Sequence, residues 1–504
     1  MTDTSTANSR GLIRSMMIIG STQVVNITLS IFRQKMLAVL LGPSGIGLLS
    51  LYTSLQGMVT QVAGLGMGNS GVREIAAARD DAKTLSRVKL VLLLAHLVQG
   101  SLAMGCVWFL RDRIAVWIFQ DAGYAINVGL VGIAILLALL AAAHTALLQG
   151  LRRIGDLGRV TVLGAFAGTV VGLAAVVALG QAGLIWFVLA QPLFNLIAAR
   201  WFVARMQSAS APAPRLRDIP SIWLPMARLG FAFMLGGLMT TATLLVVRSQ
   251  ITQSFGLEAA GQFAAAWGIT MTYVGFLLSA MSADYYPRLT EVITDKPAAV
   301  ALMNDQAQLG LAIGGPVLLV MIGWAPWVIS LLYSREFLPA VELLQWQSAG
   351  NILKLASWSL SFSVVAAAKA KTYVLLEASF NIVFLALIFL LLPRYGLTIA
   401  ATAFVAGYII YFATAYLLAR NLHRYRMTSL TRNLLILHVA LGCALLILAS
   451  VHQPSAYFAA PLLGAATGIL GLRTVLVKTG PEGCLAGRLT YFFQRAGWPI
   501  RTAP

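Results

Sequence analysis

The stretch SIFRQKMLAVLLGPSGIGLL, residues 30–49, decides what kind of protein this is. It continues an apolar segment that is long enough to cross a bilayer, yet it carries Arg33 and Lys35 before the helix breaks at Gly42-Pro43. A charge near the hydrocarbon core costs at least ~2.5–3.5 kcal/mol, so it usually faces a water-filled or protein-lined space. A simple membrane anchor offers no such space, and the stretch therefore predicts a bundle of several helices.

The composition places this bundle in a membrane. The chain has 504 residues, of which 59% are hydrophobic and only 11% charged, whereas soluble domains carry roughly 25% charged residues. The net charge of +19 is spread over many short loops, which argues against a nucleic-acid partner. Cys106, Cys443 and Cys484 form no pair with metal or redox spacing, so we expect neither a metal nor another cofactor.

About 20 apolar residues span a bilayer as a helix. By this rule the sequence predicts roughly fourteen membrane helices. The polar start MTDTSTANSRG leads directly into the first of them and has no pattern of a cleavable signal peptide. The predicted helices cover residues 12–41, 45–67, 88–110, 124–149, 160–180, 183–205, 223–255, 259–283, 307–333, 340–367, 372–392, 397–419, 433–452 and 456–477.

A linker rich in Pro, Ala and Ser, at 206–222, follows the sixth predicted helix. It divides the first twelve helices into two bundles of six, at 1–205 and 223–425. An extra hairpin at 426–477 and a basic tail at 478–504 remain. Most Lys and Arg residues fall on one set of alternate loops, which predicts cytoplasmic N- and C-termini.

The two halves share a local pattern around an arginine. TLSIFRQKMLAVLLGPSGIG (28–47) resembles TLLVVRSQITQSFGLEAAGQ (243–262), since Thr-Leu precedes Arg33 and Arg248 at the same distance. In each segment a glycine follows eight or nine residues after the arginine. The pattern indicates an internal repeat, and many transporters build a central site between repeated halves.

Lys354 is the intramembrane cation with the sharpest signal. It lies mid-helix in LLQWQSAGNILKLASWSLSF (343–362), and no acidic residue lies three or four positions away. Its charge needs a partner from another helix or from a ligand. The alternative is a buried pair with Glu377 or Glu342.

Three further cations, Arg33, Lys35 and Arg248, lie near helix ends in the sequence. They could line the same polar cavity as Lys354 or extend toward lipid headgroups. Glu377 is a candidate coupling carboxylate, but a local ion pair with Lys371 is the preferred interpretation.

The acidic residues of the first half all fall in predicted loops or at helix ends. A cation exporter or a proton relay needs carboxylates inside the bundle. The cavity should therefore favour an anion such as a diphosphate, because arginine binds phosphate oxygens with two prongs and lysine acts as a point charge.

Four stretches carry a resemblance to a known family: KMLAVLLGPSGIGLLSLY (35–52), YYPRLTE (285–291), LLYSREFLPAVELLQWQSAGNILKLASW (331–358) and AKAKTYVLLEASFN (368–381). They resemble the Wzx-type polysaccharide flippases, particularly the O-antigen and lipid III translocases of the multidrug/oligosaccharidyl-lipid/polysaccharide (MOP) superfamily. The resemblance covers about residues 12–420.

The resemblance implies an all-α polytopic membrane protein with 12–14 helices in two six-helix bundles around a central cavity. It further implies that an undecaprenyl-diphosphate-linked oligosaccharide moves from the inner to the outer leaflet of the bacterial inner membrane by alternating access. Lys35, Lys354 and Arg248 match basic positions of those translocases, and Arg33 is less clearly shared. Membrane lipids, a polysaccharide polymerase and chain-length proteins are the implied partners.

Two other functions stay open at this point. A drug/cation antiporter of the same superfamily is disfavoured by the missing carboxylates of the first bundle. A membrane glycosyltransferase or polymerase would need a catalytic base and commonly a sizeable loop to position it. The outer loops here are short and hold no evident carboxylate pair, so we expect a transporter and not an enzyme.

Overall fold

The computed structural model describes the backbone of residues 3–206, 219–367, 369–479, 484–495 and 498. The described residues form helices and turns without a β-strand. Most of the predicted linker and part of the predicted tail lie outside the described residues. The α-helices within these described residues are α1 (Asp3–Ala63), α2 (Met67–Ala77), α3 (Ala82–Phe109), α4 (Arg111–Phe119), α5 (Ala125–Gly150), α6 (Ile154–Leu179), α7 (Leu184–Ala204), α8 (Ile219–Val292), α9 (Lys296–Gly323), α10 (Ala325–Leu332), α11 (Ala340–Ala366), α12 (Ala370–Tyr395), α13 (Thr398–His423), α14 (Ser429–Val451), α15 (Gln453–Thr479) and α16 (Cys484–Arg495).

The described helices are long and apolar enough for a polytopic membrane protein. Nine spans of the described residues meet the length and hydropathy that a membrane crossing needs. Four of them are 42 to 51 residues long, about twice the ~20 residues of one crossing. Helix α11 is not among the nine. The all-α polytopic class predicted from the sequence is confirmed.

Two of the longest helices, α1 and α8, each bend at one glycine. The backbone of Gly42 has φ 64° and ψ −167°, and that of Gly256 has φ 82° and ψ 178°. Only glycine adopts this region without strain, so each helix breaks into two apolar segments at that residue. The breaks lie nine residues after Arg33 and eight after Arg248, which supports the predicted repeat.

The segments just after these bends touch each other through a reciprocal contact. A Cβ atom on Gly47 would lie 2.0 Å from the carbonyl oxygen of Leu257. A Cβ atom on Gly261 would lie 1.8 Å from the carbonyl oxygen of Pro43. Each glycine follows its bend by five residues, so the two repeated segments meet by equivalent surfaces, and only glycine leaves room for the crossing.

The contacts between residues divide the chain into two units. Unit 1 contains residues 1–264 and the short segment Leu332–Ser334, and unit 2 contains residues 265–331 and 335–504. The first part of α8, up to Ala264, therefore packs with unit 1. The division into bundles at 1–205 and 223–425 stays a prediction.

The predicted extra hairpin, α14 and α15, is part of the core of unit 2. Leu434, Leu445 and Ala460 are buried in one cluster with side chains of α9 and α11. A Cβ atom on Gly471 of α15 would lie only 2.2 Å from the carbonyl oxygen of Ala312 on α9. The hairpin packs this closely because small residues line the contact.

Candidate functional site

Arg33, in unit 1, is held by polar side chains. Its guanidinium donates a hydrogen bond of 2.9 Å to Oε1 of Gln191 and a weaker one of 3.5 Å to Ser30. The guanidinium carbon also lies 5.9 Å from the centre of the Phe187 ring. Arg33 lines a cavity of about 290 Å³ together with Asn26. Its charge is thus available to a ligand inside unit 1.

Lys35 lies two residues further along α1 and binds a backbone carbonyl. Its ammonium donates a hydrogen bond to the carbonyl oxygen of Tyr333. The Tyr333 hydroxyl in turn donates to Oε1 of Gln34 at 3.0 Å. These two contacts attach the segment Leu332–Ser334 to α1, so Lys35 has a structural role in unit 1.

Arg248 is buried, with only 9% of its surface exposed. Its guanidinium donates to the carbonyl oxygen of Ser50 at 2.9 Å and to the hydroxyl of Ser54 at 2.6 Å. The Nε–H of the same side chain has no partner among the described residues. Arg248 therefore connects α8 to α1 within unit 1, and one of its donors remains unused.

Lys354, on α11 of unit 2, is partly buried among soft and aromatic groups. Its ammonium lies 3.3 Å from the sulfur of Met271 and 5.6 Å from the centre of the Tyr408 ring. Both groups attract a cation weakly. None of the ion pairs among the described residues includes Lys354. The Lys354 charge is therefore incompletely compensated within unit 2.

The contacts of Glu377 differ from the ion pair with Lys371 that the sequence predicted. Its carboxylate accepts a hydrogen bond of 3.0 Å from the Tyr411 hydroxyl, and the described part of the chain shows no ion pair between Glu377 and Lys371. The predicted pair with Lys371 was wrong because side chains six residues apart lie about 120° from each other around the helix axis, and Lys371 is exposed.

The two carboxylates that were the alternative partners of Lys354, Glu342 and Glu377, have other hydrogen-bond partners. Glu342 accepts a hydrogen bond of 3.1 Å from Thr398. Glu377 attracts Lys354 electrostatically but does not form an ion pair with it. Lys354, Glu377, Tyr408 and Tyr411 thus form one mixed polar and aromatic cluster in unit 2.

Sequence reasoning missed the aromatic part of this cluster. Tyr408 and Tyr411 lie three residues apart on α13, so they share a face of that helix. Their rings are 5.8 Å apart, and Tyr408 also packs on Phe380 at 4.6 Å. The spacing was visible in the sequence, but aromatic residues at helical spacing are typical of any buried helix.

A family model described as "Polysaccharide biosynthesis protein" matches residues 36–342, more than half of the chain. This chain belongs to the polysaccharide biosynthesis protein family. The matched region contains Arg248 and ends within α11, before Lys354.

A curated relative of this chain is the "Lipid III flippase" of Escherichia coli (strain K12). The two are 24% identical over 385 residues, which cover 75% of this chain and 91% of the relative. The alignment therefore includes nearly the whole length of the relative.

Solved structures show the fold. The inward-facing conformation of a multidrug resistance MATE family transporter of the MOP superfamily has a TM-score of 0.68 at 15% identity, covering 79% of this chain and 97% of the other. The lipid II flippase MurJ in its inward closed conformation also has a TM-score of 0.68, at 13% identity, covering 92% of this chain and 99% of the other. This chain therefore has the fold of MOP-superfamily transporters, as its sequence resemblance implied.

Proposed function

We propose that this protein is a flippase, which moves an undecaprenyl-diphosphate-linked oligosaccharide from the inner to the outer leaflet of the bacterial inner membrane. The similarity to a lipid III flippase over 91% of its length supports a lipid-linked oligosaccharide as substrate. The same relative favours a transporter over a glycosyltransferase or polymerase. In this proposal both termini are cytoplasmic, and polymerase and chain-length proteins are the partners.

The incompletely compensated charge of Lys354 is the observation that carries the proposal. A partly buried ammonium without a carboxylate in contact costs free energy, which a bound anion would recover. A diphosphate supplies such an anion, and Tyr408 and Met271 leave the ammonium free to form ion pairs. Lys354 is therefore our first choice for a diphosphate contact.

The other cations have different roles in this proposal. Arg33 is a candidate phosphate contact within unit 1 because its guanidinium lines a cavity there. Lys35 and Arg248 each bind a backbone carbonyl of unit 1, so they act mainly by holding α1 in place. Glu377 acts by lowering the cost of the Lys354 charge between ligands, and its role in coupling is secondary.

The proposed cycle is alternating access, in which the protein alternates between a state open to one side of the membrane and a state open to the other side. A ligand can shift this equilibrium only if it binds one state more tightly. The contacts of Lys354 with the diphosphate must therefore differ between the two states.

Complementation tests the proposed function. A strain that lacks its lipid III flippase receives the wild type, Lys354→Met or Lys371→Met at equal membrane levels. Lys371 is an exposed lysine of α12 and provides the matched control. We expect wild type and the control to restore surface polysaccharide, and Lys354→Met to leave the lipid-linked oligosaccharide at the inner leaflet.

Two results would count against the proposal. Full rescue by Lys354→Met would remove Lys354 from the substrate site. Failure of the wild type with lipid-linked oligosaccharides from several bacteria, each tested with its own flippase as a positive control, would reject the flippase function.

A further inference from the structure

A cavity of about 450 Å³ lies inside unit 1, and its lining includes neither Arg33 nor Lys354. Helices α1, α5, α6 and α7 form its walls. Its polar lining consists of the hydroxyls of Thr53, Thr145 and Thr161 and the amides of Gln56, Gln191 and Asn195. None of the described residues that line it carries a charge.

Closely packed helices hold the amides in place. A Cβ atom on Gly164 of α6 would lie 1.8 Å from Oδ1 of Asn195, and one on Gly168 would lie 2.7 Å from Cα of Gln191. Facing them, α5 contributes small side chains, including Ala138 and Ala142. The glycines of α6 thus let α7 pack closely enough to fix Gln191 and Asn195, and the small side chains of α5 leave the space open.

The amides of this cavity keep unused hydrogen-bonding capacity. Within the described residues, the side chains of Gln56 and Asn195 have no hydrogen-bond partner, although each amide offers two donors and an acceptor. The hydroxyls of Thr53 and Thr145 donate to carbonyl oxygens of their own helices and can still accept. A ligand of this cavity should therefore present both donors and acceptors.

A smaller neighbouring cavity adds a cation. It shares Thr161, Gln191 and Asn195 with the larger cavity, and it also includes Arg33 and Asn26. The guanidinium of Arg33 donates to Gln191, which lines both spaces. The amide oxygen of Asn26 is buried there without a partner among the described residues. A neutral polar space and a phosphate-binding cation are thus adjacent.

We infer that the larger cavity binds an uncharged sugar unit of the lipid-linked oligosaccharide while Arg33 contacts the adjoining phosphate. This inference rests on the proposed function. Sugar hydroxyls are both donors and acceptors, which is the pattern that the free amides and threonines of this lining satisfy. An acyl chain would leave those amides unpaired. A cation would find no carboxylate. The volume lies within the ~300–1,000 Å³ of small-molecule sites.

A comparison of two lipids tests the inference. The purified wild-type protein in detergent is titrated with undecaprenyl diphosphate and with undecaprenyl-diphosphate-linked N-acetylglucosamine. We expect the sugar to tighten binding by about 10-fold, since two or three new hydrogen bonds contribute on this scale.

Three variants locate the sugar. The combined change Gln56→Leu and Thr145→Val, at two residues that line the larger cavity but not the one beside Arg33, should abolish the advantage of the sugar-bearing lipid without weakening the binding of undecaprenyl diphosphate. Ala142→Phe, which fills the cavity and keeps its amides, should do the same. Gln149→Leu removes an exposed amide of α5 outside the cavity and should keep the full advantage.

The outcomes separate the inference from the proposed function. If the wild type binds both lipids equally, or if the cavity variants keep the advantage of the sugar, the inference is overturned and the flippase proposal survives. If the wild type binds neither lipid, both are overturned.

Discussion

Replacing Lys354 by methionine should stabilise the protein and weaken its ligand binding. Methionine has a similar length, so it fills the same space beside Met271 and Tyr408 without a charge. The effect on stability is the difference between two terms, the desolvation of the ammonium and its attraction to neighbouring groups.

Both terms can be bounded from the structure. Taking an ammonium out of water costs several kcal/mol. The attraction to Glu377 is below about 4 kcal/mol, the value for two charges 4 Å apart at an effective dielectric constant of 20, because the two groups form no ion pair. Since Lys354 is only partly buried, we expect a gain of about 1–2 kcal/mol in the free energy of unfolding.

The same substitution should weaken ligand binding, although it stabilises the protein. Removing one partner of a buried charge pair costs about 2–4 kcal/mol of binding, which is roughly 30- to 1,000-fold in affinity. The assay compares Lys354→Met with wild type in one detergent, by thermal unfolding without ligand and by titration with undecaprenyl diphosphate. A lower unfolding temperature together with unchanged affinity would refute the reasoning, because it would make Lys354 a structural residue.

Three further variants and one control variant test the contacts within each unit, all by thermal unfolding. Arg248→Met should destabilise by about 2–4 kcal/mol, since it removes two charge-assisted hydrogen bonds; an unchanged unfolding temperature would contradict this role. Gly261→Ala should destabilise by at least about 1–3 kcal/mol through overpacking, whereas Gly57→Ala, with open space around it, should have little effect; equal effects would reject the helix crossing. Tyr411→Phe leaves Glu377 without its hydrogen-bond donor and should cost about 1–3 kcal/mol; a neutral result would mean that water replaces the hydroxyl.

The sequence was sufficient for the long helices because each crossing is an apolar run of similar length, but it did not predict the short helices α2, α4, α10 and α16. It also located both bends, since Gly42 and Gly256 follow equivalent arginines. The predicted helices at 12–41 and 45–67 correspond to α1, which continues through its bend as one element, begins at Asp3 and ends at Ala63. Local composition determines these features, so one sequence contains enough information for them.

The partners of the cations could not be read in the same way. Arg248 binds Ser50 and Ser54, almost 200 positions earlier in the chain, and only the packing of α8 against α1 brings them together. Lys35 likewise reaches a carbonyl of the segment Leu332–Ser334. A backbone carbonyl has no signature in the sequence, so two cations that seemed free are in fact bound.

The surroundings of Lys354 could be predicted only in part. The absence of an acidic residue at helical spacing correctly indicated that no carboxylate of α11 neutralises Lys354. The position of Glu377 required knowledge of how α12 packs on α13, because Tyr411 and not Lys371 faces the carboxylate.

Reconstitution in proteoliposomes tests the flippase proposal most directly. Undecaprenyl-diphosphate-linked N-acetylglucosamine is placed in one leaflet, and its arrival in the other leaflet is followed with a membrane-impermeant sugar-binding protein. Translocation should be fast with wild type and with Lys371→Met, and it should fall to the rate of protein-free vesicles with Lys354→Met. If wild type moves this lipid no faster than protein-free vesicles do, while a known lipid-linked oligosaccharide flippase moves it in the same assay, the account is contradicted.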